Sequence, residues 1–109
     1  MNKQDSKTCP LHPGEPEALE INKEVVFSTA HIRLADARKL EAASTDMVVL
    51  SGEYNWRVLV NEETAGHAES AGMSKDFIQL VAAAKANKCK WLVLDQDGPE
   101  YDGFKAFEW

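Results

Sequence analysis

The sequence predicts an α+β fold: two helices on one face of a mainly antiparallel, four- to five-stranded sheet. The order is β-α-β-β-α-β with an extra terminal strand, which is a ferredoxin-like arrangement. Three observations predict it. Short runs rich in β-branched and aromatic residues recur at 24–28, 47–50, 56–60 and 91–94, separated by turn-forming or helical stretches. Two intervening segments instead carry apolar residues at helical spacing, Leu34, Ala37 and Leu40 in one and Phe77, Leu80, Val81 and Ala84 in the other. The chain has 109 residues, 44% of them hydrophobic and 28% charged, which suits one domain with one modest core.

Taken in order, residues 1–22 hold three of the four prolines and no periodic apolar pattern. They read as a flexible or loosely docked N-terminal arm, and residues 23–109 as the single domain. The run EVVFS at 24–28 is the first strand. A helix is expected over residues 34–43, closed by Ser44, Thr45 and Asp46. Strands at 47–50 and 56–60 flank the turn residues 51–55 and form a hairpin. Residues 61–73 (NEETAGHAESAGM) are polar, hold two glycines and show no period, so they are expected to form a long connecting loop. Ser74 is a good N-cap, with Asp76 in the first turn to complement the dipole of the second helix. The run Trp91, Leu92, Val93, Leu94 is apolar on both faces and predicts an inner strand. Residues 104–109 then alternate, and Phe107 and Trp109 are expected to dock inside the domain from a return strand. In the ferredoxin-like arrangement the fourth strand opposes the first, which would put His31 and Asp95 at opposite ends of the sheet, roughly 15 Å apart.

Composition excludes several functions. The formal charge of −6 opposes direct binding to nucleic acid or to anionic membranes, and leaves open a basic protein partner. No apolar stretch is long enough to span a bilayer. The first twenty residues lack the apolar centre of a secretory signal, so a cytoplasmic protein, as monomer or homodimer, is expected. Cys9 and Cys89 make no disulfide framework, and Cys89, between helix and strand, reads as a small buried residue.

Candidate chemistry gathers at three places. Asp95, Asp97, Glu100 and Asp102 fall within eight residues. Oxygen-rich clusters suit hard cations, but Glu100 stands where a calcium-binding loop needs glycine, so a solvated acidic turn is expected first, a contact surface for a basic partner next, and a metal site last. Tyr54 and Tyr101, in turns beside these carboxylates, extend that surface as a candidate partner-binding patch. Thr29 and His31 form a possible polar site after the first strand, read either as a hydroxyl beside its base or as capping with a hydrogen-bonded histidine. Cys9 and His12 have the inner spacing of half a zinc site without a second pair, and neither a metal nor a cofactor is expected.

The segments STAHI (28–32), GEYNWRVLV (52–60) and KWLVLDQDGPEYDGFKAFEW (90–109) together resemble a family of small uncharacterised bacterial proteins carried on plasmids, phages and other mobile elements. The resemblance covers residues 24–109. It implies an accessory role in a mobile element, with action against host defence among its forms, and no mechanism.

Two functional classes follow: a non-enzymatic protein that presents an acidic surface to a protein partner, or a small enzyme or metal-dependent hydrolase using the acidic turn or His31. The aperiodic arm generates one expectation of its own. A chain beginning near Asn22 should melt cooperatively with the midpoint of the full chain, and loss of the cooperative transition would place the arm in the core.

Overall fold

The computed structural model describes residues 19–43 and 45–109, in which three helices pack on one face of a four-stranded mixed sheet. The arm up to residue 18, with Cys9 and His12, lies outside the described residues. Strands β1 (Glu24–Ser28), β2 (Val49–Ser51), β3 (Asn55–Leu59) and β4 (Trp91–Asp95) are arranged β1-β4-β3-β2. A single 3-10 turn, Thr29–His31, follows β1. The helices are α1 (Leu34–Glu41), α2 (Thr64–Ser70) and α3 (Lys75–Ala86).

Strand pairing fixes which residues share a face. Val25, Leu92, Val58 and Val49 lie side by side, and so do Phe27, Leu94 and Trp56. These point toward the helices and meet Ala37 and Leu40 of α1, Ala68 of α2, and Phe77, Leu80, Val81 and Ala84 of α3. The stripe Phe77, Leu80, Val81 and Ala84 is therefore core; of the other stripe Ala37 and Leu40 are core, while Leu34, expected beside them, is exposed at the first position of α1. Cys89 is buried at the end of α3, as its position suggested. On the opposite face Arg57 forms an ion pair with Glu24 and lies over the Trp91 ring, 5.7 Å from its centroid.

The strand order departs from the ferredoxin-like one. In that arrangement the first strand is central and the fourth is antiparallel to it. Here β1 is an edge strand, and it runs parallel to β4 with Ser28 beside Asp95. The cause is a helix where a loop was expected. Residues 61–73 contain α2, so β3 is joined to β4 by two helices instead of one. A single helix would deliver the chain to the far end of the sheet. A pair returns it to the end it left, where Val60 N–H donates to the Lys90 carbonyl at 2.8 Å. The fourth strand therefore points the other way.

Local chemistry accounts for α2. Thr64 is buried and its hydroxyl donates to the Leu59 carbonyl at 2.9 Å while accepting from the Asn61 N–H at 2.9 Å. Ala65, Ala68 and Ala71 face the core at helical spacing. The helix ends in a Schellman motif: Met73 N–H reaches the Ala68 carbonyl and Gly72 N–H the Glu69 carbonyl, with Gly72 at φ 77°. Only glycine adopts that conformation without strain. The sequence between the alanines is polar because that face meets solvent.

The return strand expected over residues 104–109 is also absent. The segment after β4 instead wraps the outer edge of β1. Ser28 N–H donates to the Pro99 carbonyl at 2.8 Å, and the Tyr101 hydroxyl donates to the Val26 carbonyl at 3.1 Å. Those β1 groups point away from β4, so the tail takes the edge that a fifth strand would have taken. Gly98 makes the approach possible, because a Cβ there would stand 2.9 Å from the Phe27 carbonyl oxygen. Phe104 packs against the core, but Trp109 is 54% exposed and not docked inside as expected. Its indole N–H alone is anchored, on the Ile32 carbonyl at 2.9 Å.

Two helix starts are joined by one buried carboxylate. Asp36, 1% exposed, accepts from the Arg33 N–H at 3.1 Å, the Ser74 N–H at 2.8 Å and the Ser74 hydroxyl at 2.6 Å. Ser74 in turn caps α3 by accepting from the Phe77 N–H. Replacing Asp36 with Ala strands these donors together. A lost cap and an unpaired buried donor each cost about 1–2 kcal/mol, so Asp36→Ala should lower unfolding free energy by about 3 kcal/mol. Asp36→Asn, which keeps one acceptor oxygen, should cost less. Urea melts of both variants check the order, and an unchanged Asp36→Ala midpoint would remove Asp36 from the structural account.

Candidate functional site

Because β1 and β4 are parallel, the ends of both strands, the hairpin tip between β2 and β3 and the tail all meet at one end of the sheet. His31 and the start of the acidic turn at Asp95 therefore share that end, which corrects their expected separation.

His31 is held at this end as a structural group. It is 1% exposed, its Nδ1 lies 2.7 Å from the Lys105 carbonyl oxygen, and its Nε2 accepts from the Tyr101 N–H at 2.9 Å. One partner is an acceptor and the other a donor, which assigns the neutral tautomer with its proton on Nδ1. Phe27, Tyr101 and Phe104 surround the ring at centroid distances of 5.8, 6.3 and 5.8 Å. With both nitrogens engaged by backbone, His31 has no lone pair to offer a substrate. Ser28 caps the turn through its hydroxyl, which accepts from Ala30 N–H at 3.0 Å.

The acidic turn is likewise occupied by its own backbone. Asp95 Oδ1 accepts from the Asp97 N–H at 2.8 Å, and the Asp95 carbonyl accepts from the Gly98 N–H at 2.9 Å. Asp97 and Asp102 are exposed. Among the described residues no group of three or more His, Cys, Asp or Glu side chains is arranged to hold a metal ion. Tyr101 spends both its N–H and its hydroxyl on fastening the tail.

What the structure does form is an open cleft of about 640 Å³. One wall is the 3-10 turn with Ser28, Thr29 and Ala30. The hairpin tip, residues 52–56, supplies Glu53, Tyr54 and Trp56. Gln96 and Glu100 come from the segment after β4, Glu41 from the end of α1, and Phe107, Glu108 and Trp109 from the tail. The tail wall is tied down by the Phe107 N–H, which donates to the Ala30 carbonyl at 2.7 Å, and by Arg33 lying 4.7 Å from the Phe107 ring centroid. Trp56 donates its indole N–H to Glu41 Oε1 at 3.2 Å, linking α1 to the hairpin across the floor.

The lining is chemically one-sided. It holds four glutamates and four aromatics, and no Lys, Arg or His among the described residues. Tyr54 and Trp109 are largely open to solvent, at 59% and 54% exposure. Away from the cleft, two exposed carboxylates are held below their usual value. Glu20 is lowered first by its hydrogen bond from Asn22 and then by Lys90, and Glu62 by the hydrogen bond and charge of Lys85.

Of the residues singled out in the sequence, the cleft gathers Thr29, Tyr54 and Glu100, and it leaves out His31, Asp95, Asp97, Tyr101 and Asp102. Sequence reasoning missed Glu41, Glu53, Trp56, Phe107, Glu108 and Trp109 as site residues. Phe107 and Trp109 were expected inside the domain because large aromatics usually are, and Trp56 both packs against the core and reaches the cleft. Glu41 carries no local signal, since only tertiary packing brings the end of α1 to the hairpin.

The tail wall hangs on His31, so its removal should be felt there first. In His31→Phe the Tyr101 N–H and Lys105 carbonyl lose their partner, which should cost about 2 kcal/mol, since each unpaired group costs about 1–3 when fully buried and these are partly so. Amide exchange at Tyr101 and Phe107 should accelerate more than exchange in α3. Uniform acceleration throughout the domain would mean that the ring supports the whole core and not the tail.

Comparison with curated proteins and with solved structures gives no match. Among family models, one matches residues 24–109, from the first residue of β1 to Trp109. It is described as the C-terminal domain of a family of unknown function, DUF5983, and the chain belongs to that family.

Proposed function

We propose that this domain is a non-enzymatic binding protein that engages a protein partner through the cleft at the carboxyl end of its sheet. The observation that carries this reading is the cleft lining, with Tyr54, Trp56, Phe107 and Trp109 interleaved with Glu41, Glu53, Glu100 and Glu108. Solvent-exposed aromatics in a concavity are the usual anchors of protein recognition, and surrounding charge selects the partner and steers its approach. A net charge of −6 favours a basic partner over nucleic acid. The engagement of both His31 nitrogens supports binding over hydrolysis at that residue.

In its finer form the proposal is an accessory factor of a mobile element, working in the host cytoplasm as a monomer or homodimer and acting against host defence. That part rests on the resemblance of residues 28–32, 52–60 and 90–109 to proteins carried on such elements. No helix among the described residues is long and apolar enough to cross a membrane.

Capture from bacterial lysate with two baits tests the proposal. Wild type should retain a small set of proteins that a bait carrying Glu53→Lys and Glu108→Lys does not. Both positions are exposed, so the variant should melt like wild type. Identical sets on both baits would overturn the reading, as would a hydrolytic activity abolished by His31→Phe or Asp95→Asn.

A further inference from the structure

We infer that the cleft receives an arginine side chain presented by a basic segment of the partner. This inference rests on the binding function proposed above and names its chemistry. The cleft volume of about 640 Å³ falls within the roughly 300–1,000 Å³ of sites that enclose a ligand group. Every ionisable group that lines it among the described residues is a carboxylate or the Tyr54 phenol, so an anionic occupant would meet like charge from the hairpin tip, the end of α1, the segment after β4 and the tail. An apolar occupant would strip water from Glu41, Glu53, Glu100 and Glu108 without offering them a partner.

A guanidinium resolves both conflicts. Its plane stacks on an aromatic face while its edge donates paired hydrogen bonds to a carboxylate. The molecule itself shows both halves of this pairing. Arg57 lies over Trp91 while bonding Glu24, and Arg33 lies over Phe107 while its Nε donates to Asp76 at 2.9 Å. The cleft offers the same two surfaces with no internal cation between them. Tyr54 and Trp109 provide exposed ring, and Glu41 is a carboxylate already oriented by the Trp56 indole. An ammonium would satisfy the charge but not the paired geometry, which is why arginine is the committed occupant.

The test uses isotope-labelled full chain and two capped peptides, Gly-Arg-Gly-Arg-Gly and its citrulline counterpart, which keeps shape and loses charge. The arginine peptide should shift the indole N–H resonances of Trp56 and Trp109, and the citrulline peptide should not. Changing Glu53→Gln and Glu108→Gln together should raise Kd by about tenfold, because each exposed pair contributes up to about fivefold. Equal binding of both peptides would overturn the inference. So would shifts confined to residues 95–102 with the indoles unmoved, or no binding at all. Spermidine moving the same indoles at equal affinity would also overturn it, by replacing a protein segment with a free polyamine. If the lysate partner is retained by wild type and lost on the charge-reversed bait while the arginine peptide leaves the indoles still, the inference fails and the binding function stands. If no partner distinguishes the baits, the binding function itself fails.

Discussion

The imidazole of His31 stands between the Lys105 carbonyl and the Tyr101 N–H, enclosed by Phe27, Tyr101 and Phe104. No other neutral side-chain ring accepts at one atom and donates at another across its own width, and here both capacities are used. The aromatic shell keeps water away, so a backbone group released from the ring would find little replacement nearby. That constraint propagates. With Tyr101 held, its hydroxyl reaches the Val26 carbonyl and the edge of β1 is closed. With Lys105 held, the Phe107 N–H reaches the Ala30 carbonyl and the tail becomes one wall of the cleft. A residue that looked like a catalytic candidate is the fastening of the tail that forms one wall of the cleft.

A second constraint acts at the level of topology. The α2–α3 pair reverses β4 relative to a chain with one connecting helix, and this brings the acidic turn to the end where His31 and the hairpin tip already lie. The pair is itself fixed in place by Asp36, which takes three donors from the starts of α1 and α3. Lys39 adds a tie from α1 to the Gly72 carbonyl at 3.2 Å, just past the end of α2. The helices are thus joined to one another by polar contacts at their termini as well as by the shared apolar core beneath them.

The two faces of the sheet divide labour. One packs the helices. The other balances its charge internally, with Arg57 between Glu24 and Trp91. At the cleft that internal pairing stops: four glutamates line it, and no Lys, Arg or His does among the described residues. Like charges gathered in a concavity repel one another, and the repulsion is relieved when a cation enters.

The sequence by itself determined the α+β class, β1 to its last residue, Ala37 and Leu40 as core in α1, the core face of α3, and Ser74 as a cap, because each is written in spacing of 2 or 3.6 residues or in a local side-chain bond. It also marked Thr29, for the histidine two positions on, and Tyr54 and Glu100 as turn residues, all three of which line the cleft. It did not reveal α2, whose buried stripe is alanine, too weakly apolar to register against glycines and glutamates. Its one legible sign was Gly72 ahead of Met73, the signature of a helix end. From that omission came the wrong direction for β4 and the misplaced separation of His31 from Asp95. Only the tertiary structure decided that His31 is a fastening and that Trp109 faces solvent. Both depend on groups more than seventy positions apart along the chain, and such meetings are set by how the helices return the chain, not by any local pattern.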